Sequence, residues 1–283
     1  MKGPVAVVTT FGLGRTPAQA GMLEELTHRG IPADFVVGTS LGSINAAALA
    51  TGEVDGLRPF WQWLHDEIFA NPLRTVAKSL SGAQARKHEA ALRKRVAALL
   101  PATFSGSLQL TATDLHTGGE VVMDSGGLIQ ATMASCALPG VFPPVVTDDR
   151  YLIDGGLIAG MPLHIVPEAA ETVIVLDTGH SAVSPEVASG YRWWEVGALA
   201  YAHLIRGQAV NALAHAATKR PVIIISTDAG RLLDFSDPTA AMDAGRQIAA
   251  EVLDSLPSRL EKGIYGLPDG LTEFDVLRAL VVS

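Results

Sequence analysis

The stretch Phe35-Val36-Val37-Gly38-Thr39-Ser40-Leu41-Gly42-Ser43-Ile44-Asn45-Ala46-Ala47-Ala48 decides how the rest of the chain is read. Phe35-Val36-Val37 is a short apolar run of the kind a buried strand uses. The pattern G-x-S-x-G follows at Gly38 to Gly42, and then small residues typical of a closely packed helix. Strand, G-x-S-x-G and helix in that order are the context of a nucleophile elbow. A serine on so sharp a turn needs flanking residues without a Cβ. It also sits at a helix N-terminus, where unpaired N–H groups and the helix dipole favour negative charge. A bare G-x-S-x-G is also met as an ordinary glycine turn, and the strand and helix around it set this one apart.

Working outward, Val5 to Thr10 reads as a first strand, followed by the loop Phe11-Gly12-Leu13-Gly14-Arg15-Thr16-Pro17 and a helix from Ala18 to Arg29. A glycine loop between strand and helix presents N–H groups to anions. Position 17 is proline, so the G-x-G-x-x-G dinucleotide pattern is incomplete, and no Gly-Lys-Ser/Thr ending marks a phosphate loop. An oxyanion loop or a plain turn remains, and Arg15 either holds the loop, meets a lipid phosphate or is solvated.

Residues 55–100 read as a helical insertion. Leu57 to Phe69 carries Phe60, Trp61, Trp63, Leu64, Ile68 and Phe69, enough to bury or to touch lipid. Ala83 to Leu100 sets Arg86, Lys87, Arg93, Lys94 and Arg95 against Leu92, Val96, Leu99 and Leu100. Such a helix can lie on an anionic membrane, although a solvated surface helix is the more ordinary reading. Phe60 to Trp63 and the basic helix together mark 55–100 as the expected route of substrate access. Leu108 to Thr113 and Glu120 to Met123 read as paired strands, Leu128 to Ser135 as a helix, and Ala137 to Pro144 as a proline-stiffened loop. Tyr151-Leu152-Ile153-Asp154-Gly155-Gly156 ends a strand on a carboxylate and two glycines. It is either a D-G turn or a base held on a rigid strand end. Thr172 to Leu176 and Pro221 to Ser226 read as buried strands, Trp193 to Ala217 and Ala240 to Leu256 as helices, and the remainder as a peripheral tail. Alternating strands and helices predict an α/β protein: a three-layer α/β/α sandwich with a mainly parallel sheet. With no repeat or low-complexity linker, residues 1–283 are expected to form one domain.

Bulk properties narrow the function. Net charge is −8 and the isoelectric point about 5.4, which disfavours general nucleic-acid binding. Mean hydropathy is +0.28, yet no run reaches the roughly 18–20 apolar residues that span a bilayer. Met1 to Pro4 leads straight into a strand, without the pattern of a signal peptide, and Cys136 is the single cysteine. A cytoplasmic protein without a disulfide framework is expected. No His/Cys/Asp cluster has metal-ligand spacing, so neither metal nor cofactor is expected, and activity should survive EDTA.

A serine hydroxyl needs a base. Of the eight histidines, only His180, on the loop after the strand ending at Asp177, is placed for a Ser-Asp-His triad. Asp154 can serve instead where dry surroundings raise its basicity, which makes a Ser40–Asp154 dyad the economical solution.

The ordered set of the glycine loop with Arg15, the elbow Gly38-Thr39-Ser40-Leu41-Gly42, the stretch from Ala112-Thr113-Asp114 through Ser135-Cys136-Ala137-Leu138-Pro139-Gly140-Val141-Phe142-Pro143-Pro144, and Asp154-Gly155-Gly156 resembles the patatin-like phospholipases. Asp234-Phe235-Ser236 with Ala244-Gly245 is similar to that family's closing helix, so the resemblance runs over about residues 3–255. It implies a patatin-like fold, catalytic Ser40 and Asp154, and hydrolysis of lipid acyl esters through an acyl-serine. It further implies an oxyanion hole from Gly12, Leu13 and Gly14, with Arg15 on the family's loop arginine and a role in substrate binding. The family usually has three glycines where this chain has Phe11-Gly12-Leu13, and a glycine where it has Thr16. The implied partner is a lipid or other acyl ester, with peripheral membrane contact and no nucleic acid. An acyltransferase or thioesterase on the same site, a non-catalytic lipid-binding relative and a histidine-dependent esterase are the competing readings.

Overall fold

The structure is a computed structural model and describes residues 3–70, 75, 79, 81–124, 127–147, 149–178, 193–227 and 235–267. Its strands are β1 (Val5–Thr9), β2 (Phe35–Thr39), β3 (Leu108–Asp114), β4 (Glu120–Asp124), β5 (Val145–Thr147), β6 (Arg150–Asp154), β7 (Thr172–Asp177), β8 (Pro221–Ser226) and β9 (Gly263–Tyr265). Its helices are α1 (Pro17–His28), α2 (Gly42–Thr51), α3 (Leu57–Leu64), α4 (Ala83–Leu99), α5 (Leu128–Ser135), α6 (Trp193–Ala217) and α7 (Pro238–Ser255). The strands form one mixed sheet. β3-β2-β1-β7-β8-β9 run parallel, and β4, β5 and β6 add antiparallel strands at the β3 side.

The near-continuous apolar strands follow from burial on both faces. Val5 and Val7 of β1, Ile174 and Leu176 of β7, and Ile223 and Ile225 of β8 enter one core with residues of α1 to α5 and α7. The alternate residues Ala6, Val8, Val173, Val175, Val222 and Ile224 enter the other, closed by Ala209, Leu213 and Ala216 of α6. That is the expected three-layer sandwich, with an antiparallel flank added. On the first face α1 and α7 touch through glycines. A Cβ on Gly21 would lie 1.7 Å from the Met242 carbonyl oxygen, and one on Gly245 2.0 Å from that of Ala18. Asp234, in the segment similar to the family's closing helix, lies outside the described residues.

Two expectations change. The tail after Leu256 is not wholly peripheral: Gly263–Tyr265 pairs with β8 as a parallel edge strand and buries Ile264 and Tyr265. Three residues are too few for a periodic pattern to reveal. Most of the aromatic cluster of 57–69 is core, and only Trp63 is partly exposed. Leu57, Phe60, Trp61, Leu64, Ile68 and Phe69 are buried, the last two on a π turn (His65–Phe69) that extends α3. Leu57, Phe60, Trp61 and Leu64 recur at i, i+3, i+4 and i+7, so α3 buries one apolar face, while Pro59 and Gln62 on its other side are exposed. On the basic face of α4, Arg93 pairs with Glu89 and Arg95 stands over the Trp63 ring, while Arg86, Lys87 and Lys94 are exposed.

Candidate active site

β3 acts as a ruler that sets two distant segments end to end. One edge of β3 pairs with β4 over Gln109 to Thr113. On its opposite edge Thr111 faces Thr39, the last residue of β2. One step on, Ala112 faces Asp154, the last residue of the antiparallel strand β6. β2 and β6 thus meet head to head on one strand edge, and Ser40, just past β2, arrives opposite Asp154. Thr111 Oγ1 donates to Thr39 Oγ1 at 2.8 Å and Thr113 Oγ1 to the Asp154 carbonyl at 2.9 Å, holding both ends to the ruler.

The turn is as sharp as the pattern demands. Ser40 has φ +55°, a left-handed conformation that costs a side-chain-bearing residue roughly 1–2 kcal/mol. A Cβ on Gly38 would lie 2.5 Å from Ala46 Cβ, and one on Gly42 2.4 Å from the Thr10 carbonyl oxygen. Close packing against α2 and β1 therefore requires both flanking glycines.

Ser40 Oγ donates to Asp154 Oδ2 at 2.7 Å, and Asp154 Oδ1 accepts from the Gly156 N–H at 2.7 Å. Both side chains are buried. Burial pushes the Asp154 carboxyl up to about 7, against the bonds from Ser40 and Gly156, which favour the carboxylate. A carboxylate poised near neutrality is a competent general base. The turn after α5 touches both partners: Cys136 Sγ donates to the Ser40 carbonyl at 3.2 Å, and the Asp154 N–H donates to the Ala137 carbonyl at 3.1 Å. Burial raises the Cys136 thiol well above its ordinary range, so it stays a neutral donor there.

Leu13 to Arg15 form a single 3-10 turn. Arg15 and Thr16 donate back to the carbonyls of Gly12 and Leu13. The N–H groups of Gly12, Leu13 and Gly14, and those of Leu41 and Gly42 at the start of α2, donate to no acceptor among the described residues. Leu13 stands at φ +46° and buries its side chain in the core. That burial offsets the backbone strain and leaves the N–H in place. Leu13→Gly is expected to lower stability by about 1–4 kcal/mol, because lost burial outweighs relieved strain. Turnover should stay within about threefold, since the donor remains; thermal melts and steady-state rates check both halves. Arg15 is only 6% exposed, which rules out the solvated arginine.

Among the described residues no histidine hydrogen-bonds to Ser40 or Asp154. His88 lies between Ser79 and Gln84, His164 pairs with Glu120, and His116 stacks on Tyr151. His180 lies outside the described residues. Cys136 carried no motif as a site residue, and its contact with Ser40 comes from tertiary packing alone. No helix among the described residues is long and apolar enough to cross a membrane.

Residues 12–167, more than half of the chain, match the patatin-like phospholipase family. An uncharacterised NTE family protein of Mycobacterium tuberculosis is 30% identical over 185 residues, 64% of this chain and 51% of that protein. The mouse patatin-like phospholipase domain-containing protein 6 is 28% identical over 188 residues, 62% of this chain and 13% of its own length. The match thus spans about half the length of the mycobacterial relative and a small part of the mouse one. Among solved structures, VipD of Legionella pneumophila superposes with a TM-score of 0.47 at 12% identity, covering 90% of this chain and 67% of VipD. ExoU of Pseudomonas aeruginosa gives 0.38 at 13% identity, covering 88% of this chain and 52% of ExoU.

Proposed function

Since the chain belongs to the patatin-like phospholipase family, we propose that it is a serine lipid acyl hydrolase working through a Ser40–Asp154 dyad. The observation that carries this reading is the buried 2.7 Å hydrogen bond from Ser40 Oγ to Asp154 Oδ2. Ser40 attacks the ester carbonyl as its proton passes to Asp154. The oxyanion rests on the N–H groups of Gly12, Leu13 and Gly14, supported by the start of α2. Arg15, next along the loop, adds positive charge beside these donors, which is the part in substrate binding we assign to it. Collapse of the tetrahedral intermediate expels the alcohol or lysolipid, which takes the proton from Asp154. Asp154 then takes a proton from water as the water attacks the acyl-serine, and returns it to Ser40 as the fatty acid leaves. The steps call for no metal or cofactor. Family membership supports a lipid substrate, which we take to be a phospholipid, lysophospholipid or simpler carboxylic ester met at the membrane that presents it.

The test is to incubate a mixed lipid extract with the wild type and with Ser40→Ala and profile the products by mass spectrometry. Fatty acid and lysolipid should form with the wild type and fall to background with Ser40→Ala. Equal profiles would refute the lipid hydrolase reading and leave a hydrolase of a narrow non-lipid ester, an acyltransferase lacking its acceptor, or a binding protein.

A further inference from the structure

We propose that Gln19 and Asn45 are positioning residues that lock the Gly12–Gly14 loop against the helix that follows Ser40. The functional part of this role rests on reading that loop as the oxyanion cradle. Gln19 lies in the first turn of α1, flanked by Ala18 and Ala20, and is fully buried. A buried primary amide must place two donors and an acceptor or lose stability. Its Nε2 lies 2.8 Å from the Thr10 carbonyl oxygen, 3.1 Å from that of Leu176 and 3.1 Å from Thr178 Oγ1. Two of these acceptors are carbonyls, so the amide cannot be turned over. Its other end meets a donor, Asn45 Nδ2 at 3.1 Å, which also donates to the Thr16 carbonyl at 3.1 Å. Asn45 Oδ1 is in turn fixed by Trp61 Nε1 at 3.0 Å.

These partners are the two ends of the loop: Thr10 immediately precedes Phe11, and Thr16 immediately follows Arg15. Thr178 supports its middle, since a Cβ on Gly12 would lie 2.1 Å from Thr178 Oγ1. Asn45 lies on α2, just over one turn beyond Ser40. A continuous chain of buried hydrogen bonds therefore joins the loop's unpaired N–H groups to the helix that presents the nucleophile. An apolar residue at position 19 could fill the same space between α1 and the sheet. What it could not do is fix the two chain segments in register.

The test uses Gln19→Met, of similar length but without donors, and the pair Thr178→Val and Thr178→Ser, in which only serine keeps the hydroxyl. Four quantities are read: kcat and KM on a short-chain ester, the pH midpoint of kcat/KM, and hydrogen exchange of the peptide containing Arg15 and Thr16. Gln19→Met should lower kcat by about 10–100-fold, as a displaced oxyanion donor does, with KM and the pH midpoint near wild type. Exchange should quicken in the loop peptide and stay unchanged in β6. Thr178→Val should move the same readouts less, and Thr178→Ser should restore them. Unchanged loop exchange in folded Gln19→Met overturns the proposal whatever turnover does. If Gln19→Met does not fold, the Thr178 pair decides on the same terms, and equal loop exchange in both overturns it. Faster loop exchange in a protein whose wild type hydrolyses no ester would sustain the positioning and defeat the hydrolase reading instead.

Discussion

Asp154→Asn is expected to cut hydrolysis by about 10²–10⁴-fold, the usual worth of a general base, while making the protein more stable at alkaline pH. The rate loss follows because an amide cannot take the Ser40 proton, although it can keep the bond with Gly156 and remain beside Ser40 Oγ. The stability gain follows from the direction of the Asp154 shift. Its carboxyl titrates near 7 when folded, and near 4 in an unfolded chain, by the ordinary value. The native state therefore holds a proton that the unfolded chain releases between those values. Its contribution is full below about pH 4 and is lost as pH rises through 7. Asparagine never carries the charge and escapes that loss. Between pH 5 and pH 8 the variant should gain about 2–3 kcal/mol on the wild type, or about 5–10 °C in melting temperature. In the wild type, kcat/KM should rise tenfold per pH unit below 7 and level off above it. Near-normal turnover in Asp154→Asn would remove Asp154 as the base. A melting-temperature difference between the two proteins that stays the same from pH 5 to pH 8 would mean that the carboxylate is not held at a cost.

Gly155→Ala is expected to be nearly as damaging, for a steric reason. A Cβ there would lie 2.1 Å from the Thr111 carbonyl oxygen and 2.6 Å from its carbonyl carbon. Both are backbone atoms of β3, so no side chain can yield, and the end of β6 must lift from the ruler that aligns Asp154 with Ser40. A displacement of about 1 Å at a reacting pair costs about 10²-fold in rate. Overpacking of this kind typically costs about 1–3 kcal/mol in stability. Urea denaturation and the rate at which a fluorophosphonate labels Ser40 measure the two effects. Gly207→Ala, in α6 where nothing lies within 4 Å of the new methyl group, is the control. It should be neutral or stabilising by up to about 1 kcal/mol. Similar behaviour of the two variants would mean that β6 has slack against β3, and that the alignment does not depend on this contact.

The sequence by itself determined the elements that repeat a strong local pattern. Fully buried strands such as Thr172–Asp177 and Pro221–Ser226 are continuous apolar runs, and the G-x-S-x-G between strand and helix declares a turn that only glycines permit. It also named Ser40 and Asp154 as candidates, because each sits at a strand end beside glycines. Only the tertiary structure decided that they meet, since that depends on β6 joining the same edge of β3 as β2, a register between strands over a hundred residues apart. It also decided which polar side chains hold the site in place. Gln19 and Asn45 stand in ordinary helical surroundings and Cys136 in the turn after α5, and their significance lies in partners that are remote in sequence. The lone apolar-looking cluster around Trp61 shows the same limit from the other side. Hydrophobicity fixes that such a face is covered, and the fold fixes by what.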